Sequence, residues 1–500
     1  MISYQHLCLF FTLGFLLASG HASILFAGGT VIAFERETES LRIIRNGSVL
    51  VDQNKIAAVF SGSYNGTASP ITETIDISGD IITTGFIDTH RHGSQTAFKT
   101  LASNTSLVEY VDRYSAFAPD IESIFTAEDV YIGQLAGYYE ALNAGVTTIV
   151  DYGHHTWTEA AAEAGLAAAV ESGTRIFWCY AFFDRTGFTL TDQIANFREL
   201  AASGITSDSI VTLGMAYEAF NPGPPEAAQR IIDLARSVKP GNNAPGSLLT
   251  NSPENLHAMG ILNTSIPIIF AHASYLTTEG AELLRQTNQY ISITPESEMH
   301  YGHDNPVSHL IQDQASLGID THFTFSSDLL TQARIWLQAT RQMLYRKTLQ
   351  NWELPVNNPM SVNQAFLLAT RSGGLALRRE DLGILAEGAK ADLVVWDGNS
   401  PSMLGWSDPV AAVMLHASIG DIKHVVVDGK FKKRDRKLAE GYGEIQERFL
   451  KSARKIQEAW KNRPYAVYEG KAANGFDYAR AKVADVMRGS GNGYGDLHLE

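Results

Sequence analysis

The sequence predicts an α/β protein: a closed barrel of alternating strands and helices beside a small β-sandwich built from both chain ends. Three observations predict it. Between about 81 and 375, short apolar runs alternate with helix-like stretches. Residues 23–80 are β-rich and carry no helical period. β character returns after Gly383.

The elements follow in order. Within 23–80, the runs 25–34, 41–44, 48–51 and 56–60 are apolar or alternating, separated by Gly, Asn and Asp. In the central region strands are expected at 82–90, 147–151, 176–183, 211–217, 267–272, 290–295 and 322–328. Helices are expected at 127–144, 158–172, 226–237, 278–287 and 331–347. Repeated βα units closing into a barrel put active groups at the C-terminal strand ends. Strands at 391–396 and 422–427 follow, with Asp428-Gly429 as a hairpin turn. A last amphipathic helix covers 444–460, with Ile445, Phe449, Ala453, Ile456 and Trp460 on one face. The expected organisation is a leader at 1–22, sandwich segments at 23–80 and 376–440, the barrel at 81–375, and a C-terminal helix and frayed Gly-rich tail at 441–500.

With 45% hydrophobic and 19% charged residues, the composition is that of a globular protein. A net charge of -15 repels phosphate backbones and anionic bilayers, so neither nucleic acid nor membrane is an expected partner. The apolar run 7–18 is short for a bilayer span and fits a signal-peptide core. Gly20-His21-Ala22 places small residues where a signal peptidase reads, giving cleavage after Ala22 and a secreted product, although no Lys or Arg precedes the run. Asn-x-Ser/Thr sequons at Asn46, Asn65, Asn104 and Asn263 are candidate glycan sites. Of the 2 cysteines, Cys8 leaves with the leader, so Cys179 remains as an apolar core residue and no intramolecular disulfide forms.

The most specific motif is Thr84-Gly85-Phe86-Ile87-Asp88-Thr89-His90-Arg91-His92, an apolar strand ending in His-x-His. Positions two apart in a strand point the same way, so both imidazoles converge. Neutral imidazole is a good zinc ligand. In this setting the sequence resembles the amidohydrolase superfamily, in particular its deaminases and chlorohydrolases of purine-like or triazine-like rings. The resemblance covers nearly the whole chain after the leader, and includes Gly388-Ala389-Lys390-Ala391-Asp392-Leu393-Val394 in the closing sandwich.

The resemblance implies a distorted (β/α)8, TIM-like barrel holding a divalent cation, zinc, and a hydrolase that attacks C–N bonds of a small molecule other than peptide bonds. It further implies a ligand or general base at the end of strand eight, here Asp328 after the run 323–327, and a strand-six histidine, here His272 after 268–271. His90, His92 and Asp328 are then the expected metal ligands, with Asp328 and His272 catalytic. The resemblance points to His154 over His155, after Asp151, and to Glu298 within Thr294-Pro295-Glu296-Ser297-Glu298, as substrate-binding groups. Gln95 and Arg91 flank the metal pair and are read as facing the pocket. His300, His303 and His309 are read as loop residues.

The pattern breaks at 239–250, where the family places strand five and its ligand histidine. That segment has two Pro, two Gly and no His. The nearest candidate, His257, falls in a predicted helix. Only seven barrel strands are then found. An irregular strand with another ligand, a stretch missing from the gene model, and a barrel that only binds its ligand all remain open. The competing function is therefore a catalytically impaired small-molecule binder. A small-molecule substrate is the expected partner, and a homo-oligomer is a candidate assembly.

Overall fold

The computed structural model describes residues 23–481, apart from 63, 65–69, 184, 221–222, 239–240, 243–250, 439–440 and 473–475. The expected leader, the sequon at Asn65 and the Gly-rich tail lie outside the described residues. The chain divides into compact units at Ala459/Trp460, rather than at residue 441. In the second unit the described residues show a bridge and ion pair between Lys471 and Asp477, 3.2 Å.

In the first unit, β1 (Ser23–Glu35), β2 (Ser40–Asp52), β3 (Lys55–Ser61), β4 (Ile71–Asp76) and β5 (Ile81–Thr84) come from the N-terminal end. The expected strands 41–44 and 48–51 are one strand, β2, because Asn46 takes a left-handed turn (φ 46°) inside it without ending the pairing with β1. The barrel strands come next. They are β6 (Phe86–Arg91), β7 (Val146–Gly153), β8 (Arg175–Phe182), β9 (Thr212–Tyr217), β10 (Gly241–Asn242), β11 (Ile269–Ala271), β12 (Tyr290–Ile293) and β13 (Ala315–Leu317). From the C-terminal end come β14 (Leu393–Trp396), β15 (Ile422–Val427), β16 (Lys430–Arg434) and β17 (Lys437–Leu438).

Both chain ends build one 9-stranded sheet, in which β5 joins β1 of the N-terminal end to β14 of the C-terminal end. Its central strands read as continuous apolar runs because both faces are buried. Ile32, Ile81 and Val394 enter the barrel's core, whereas Val31, Ala33, Ile82, Val395 and Val426 alternate into a core of the sheet's own. The turn between β15 and β16 places Asp428 (φ 51°) and Gly429 (φ 77°) in the left-handed region, as a two-residue hairpin turn demands.

The barrel strands form two parallel sheets, β6 to β10 and β11 to β13. They meet beyond β13, where the amides of Ile319 and Asp320 donate to the His90 carbonyl at 3.0 and 2.7 Å. Three expectations are corrected. Residues 82–90 are two strands, since Gly85 turns the chain from sheet to barrel; any Cβ there would lie 2.2 Å from Thr147. Residues 322–328 are not a strand. The eighth barrel strand is the short apolar β13, which restores the count to eight. The fifth strand is β10, a two-residue segment pairing with β9 at Gly214 and Met215; residues 243–250, which follow it, lie outside the described residues.

The sheet docks at the N-terminal ends of the barrel strands. Arg175, opening β8, makes a bidentate pair with Asp392 at 2.9 and 3.2 Å and reaches Asp428 at 2.9 Å. The Asp392 carbonyl also accepts from the Gly85 amide at 2.9 Å. The Gly-x-x-Ala-Asp segment is thereby a structural clasp, and the C-terminal strand ends stay free.

Candidate metal and active site

The site grows from β6. Asp88 is fully buried, and its carboxylate accepts from the amides of His90 (3.2 Å) and Ile319 (3.1 Å) and from Arg91 Nη1 (3.4 Å). Burial pushes its carboxyl up to about 6, with Arg91 pulling the other way. Arg91 itself points away from the mouth. Its guanidinium is buried and donates to the Gly137 carbonyl (3.0 Å) and to Ser327. This tie between β6 and the segment after β13 fixes where the two histidines aim.

They aim at Asp320. Its carboxylate lies 3.0 Å from His92 Nε2, 3.4 Å from His90 Nε2 and 3.9 Å from His272 Nε2. The ring centroids of His90 lie 4.9 Å from His92 and 5.3 Å from His272. Asp320 (φ 67°) and His272 (φ 63°) both hold left-handed backbone just past their strands, a strained geometry that surrounding packing maintains at functional sites. His92 donates from Nδ1 to the Tyr152 carbonyl at 3.1 Å, and His272 Nδ1 lies 2.8 Å from Thr294 Oγ1, leaving each Nε2 facing Asp320.

Burial opposes the charged form of Asp320, yet the bonds from His90 and His92 hold its carboxyl well below the usual carboxylate range. Burial lowers His90 to about 4. For His92 and His272 burial acts the same way, but Asp320 and the other acceptors outweigh it and raise both. Three imidazoles around one buried carboxylate suit a divalent cation, which takes neutral imidazole and ionised carboxylate as ligands. Donor atoms of His90, His272 and Asp320 lie within 4.8 Å of one another, the compactness one ion requires.

The expected site residues divide. His90, His92 and His272 come together as expected. Asp328 does not: it is the N-cap of the helix Leu329–Leu349, accepting from the Leu330 amide (3.0 Å) and Thr331 Oγ1 (2.9 Å). The carboxylate of the cluster is Asp320. His154 lies in the site, stacked on His92 at 4.1 Å and bonded through Nε2 to Glu218 at 3.1 Å. Glu218, just past β9, was not anticipated; burial opposes its charge, and His154 holds its carboxyl below the ordinary range. Gln95 is buried and donates to Tyr110 Oη (3.1 Å) and the Tyr114 carbonyl (2.9 Å). It lines a small cavity with His154, Phe98, Phe125 and Trp157.

Glu298 differs from expectation. It is fully buried and accepts from the Thr294 amide (3.0 Å) and Asn305 Nδ2 (2.8 Å), while its oxygen sits 3.5 Å from His272 Nδ1. It positions His272 and the loop after Gly302 instead of facing a substrate. His257 is exposed on the helix Pro253–Ala258. The sequons at Asn46, Asn104 and Asn263 are exposed, and Cys179 is buried as expected.

Residues 81–241 and 242–432 match the model of the amidohydrolase family. A 5-methylthioadenosine/S-adenosylhomocysteine deaminase of Pelotomaculum thermopropionicum is 25% identical over 438 residues, covering 83% of this chain and 94% of the relative. The fold is similar to an adenosine deaminase from Xanthomonas campestris with bound zinc (TM-score 0.75, 17% identity, 88% of this chain and 99% of the other). It is also similar to an atrazine chlorohydrolase from Arthrobacter aurescens complexed with zinc (TM-score 0.71, 18% identity, 86% of this chain and 100% of the other). These two likenesses bear on the fold.

Proposed function

The chain belongs to the amidohydrolase family, and from that premise we propose that it hydrolyses a C–N bond, other than a peptide bond, in an uncharged heterocyclic small molecule. The observation that carries this reading is the convergence of His90, His92 and His272 on Asp320 at the barrel mouth. A divalent cation held there, zinc by analogy with the zinc-containing neighbours, would lower the pKa of a bound water from about 16 to about 7. Asp320, kept ionised, is the acceptor for a proton from water and its donor to the leaving nitrogen. His272, its Nδ1 committed to Thr294, turns Nε2 to the cluster, where with His90 and Asp320 it would hold the cation. Tyr110 packs tilted on Tyr301, centroids 5.1 Å apart, and near-parallel to Phe323 at 6.5 Å, an aromatic group of the kind that holds planar rings.

Ammonia release from adenosine, 5′-methylthioadenosine and aminotriazines by the zinc-loaded protein is the direct test. Turnover of at least one is expected, and inertness toward all in a protein that carries its metal would overturn the reading. One observation favours a second reading, a small-molecule binder without catalysis: no histidine occurs between His155 and His257, so the family's strand-five ligand is missing. A metal-free protein as isolated would support the binder.

We further propose that the protein is exported from the cell, a reading supported by the apolar run 7–18 and the exposed sequons. The secreted form is expected to begin at Ser23. N-terminal sequencing that starts at Met1, or a cytosolic signal from a tagged copy, would refute export. Outside the cell the reaction would serve scavenging, or making or detoxifying a natural product.

A further inference from the structure

We propose that His303 is a specificity residue, binding an acceptor atom of the substrate beside the scissile bond; the inference rests on the hydrolase reading above. His303 is 5% exposed, and among the described residues neither ring nitrogen has a hydrogen-bond partner. A buried imidazole without a partner forfeits the hydrogen bonds it makes in water, and a ligand that completes it recovers them. Its place supports that use. The ring packs edge-on against His272 with centroids 4.7 Å apart, so it borders the same cluster.

The loop that carries His303 is held firmly. After the left-handed Gly302 (φ 75°), the amides of His303 and Asp304 both donate to the Glu298 carbonyl, at 3.0 and 3.2 Å. Asn305 donates to the Glu298 carboxylate at 2.8 Å, and the same carboxylate borders His272. One buried glutamate therefore sets both histidines, and the open polar capacity of the pair lies on His303. An imidazole offers an N–H donor in every protonation state, and a neutral one offers an acceptor too. A neutral imidazole, with one donor and one acceptor, matches a ligand edge that pairs an acceptor with a donor. The matching ligand is an uncharged ring with an N–C=O or N–C=N edge, His303 contacting the atom next to the reacting carbon.

The test uses two probes, hypoxanthine and a hydroxytriazine. These are the N–C=O rings left when adenine or an aminotriazine exchanges its amine for oxygen. Their binding to the zinc-loaded protein is measured by calorimetry, with zinc content and melting temperature read on the same samples. His303→Leu is expected to weaken the bound probe about tenfold, the usual worth of a buried hydrogen bond to a ligand, while zinc content holds. His303→Gln, which keeps a donor and an acceptor, is expected to recover part of the loss. For any substrate the wild type turns over, the effect should fall on KM more than kcat. Unchanged probe affinity in His303→Leu overturns the proposal. So does zinc loss with the affinity loss, which would make His303 a support of the metal site. Wild-type protein that carries zinc but binds neither probe overturns the substrate class while leaving the family chemistry standing.

Discussion

Asp320→Asn is expected to lower turnover by about 10²–10⁴, the range a positioned proton-transfer group contributes. The substitution keeps size and shape but removes the basic oxygen pair. Asp320 is the carboxylate on which three imidazoles converge, and among the described residues no other carboxylate does so. The paired control is Asp328→Asn. Asp328 caps the helix Leu329–Leu349, and Asn ranks with Asp at that position, so activity and melting temperature should stay close to wild type. Rate, zinc content and melting temperature on both variants decide between the two carboxylates. Full activity in Asp320→Asn, or collapse in Asp328→Asn with the fold intact, would reverse the assignment.

That pair of residues also shows what the sequence reveals and what it hides. The barrel's first half is legible because β7 and β8 are eight residues each, largely apolar and bounded by helices of 13 to 17 residues. His90 and His92 are legible because strand pleating makes His-x-His a geometric statement. The second half is harder, since β11 and β13 are three residues each and leave almost no periodic signal. The alternating Phe323-Thr324-Phe325 imitates a strand, while Ala315-Ser316-Leu317 is the real one, with Asp320 three residues past its end. Its signal was present, an apolar run ending in Asp and closer to β12, but Gly318 interrupts it. Glu298 misled for another reason: a carboxylate in a family-like segment reads as a ligand contact until its hydrogen bonds are known. His303 carries no sequence pattern at all, because its interest lies in the partners it lacks.

His90→Ala should remove most of the bound metal, and this is the second large effect expected. His90 lies in β6, its backbone fixed by Asp88, so no rearrangement can bring another imidazole to its place. Among the described residues His257 is the next histidine along the chain before His272, and it is exposed on a helix away from the cluster. With the strand-five histidine missing, each remaining ligand carries a larger share of the affinity, so losing one should cost more here than in a five-ligand site. His257→Ala is the control and should retain metal. The consequence extends to stability, because an ion bound only by the folded state adds RT ln(1 + [M]/Kd), about 4 kcal/mol at a thousandfold excess over Kd. Chelation of the wild type should therefore lower its melting temperature, while His90→Ala should melt at the chelated value whether or not zinc is added. If His90→Ala keeps both a full metal complement and zinc-dependent melting, the cation sits on other residues and Asp320 has no activated water to serve.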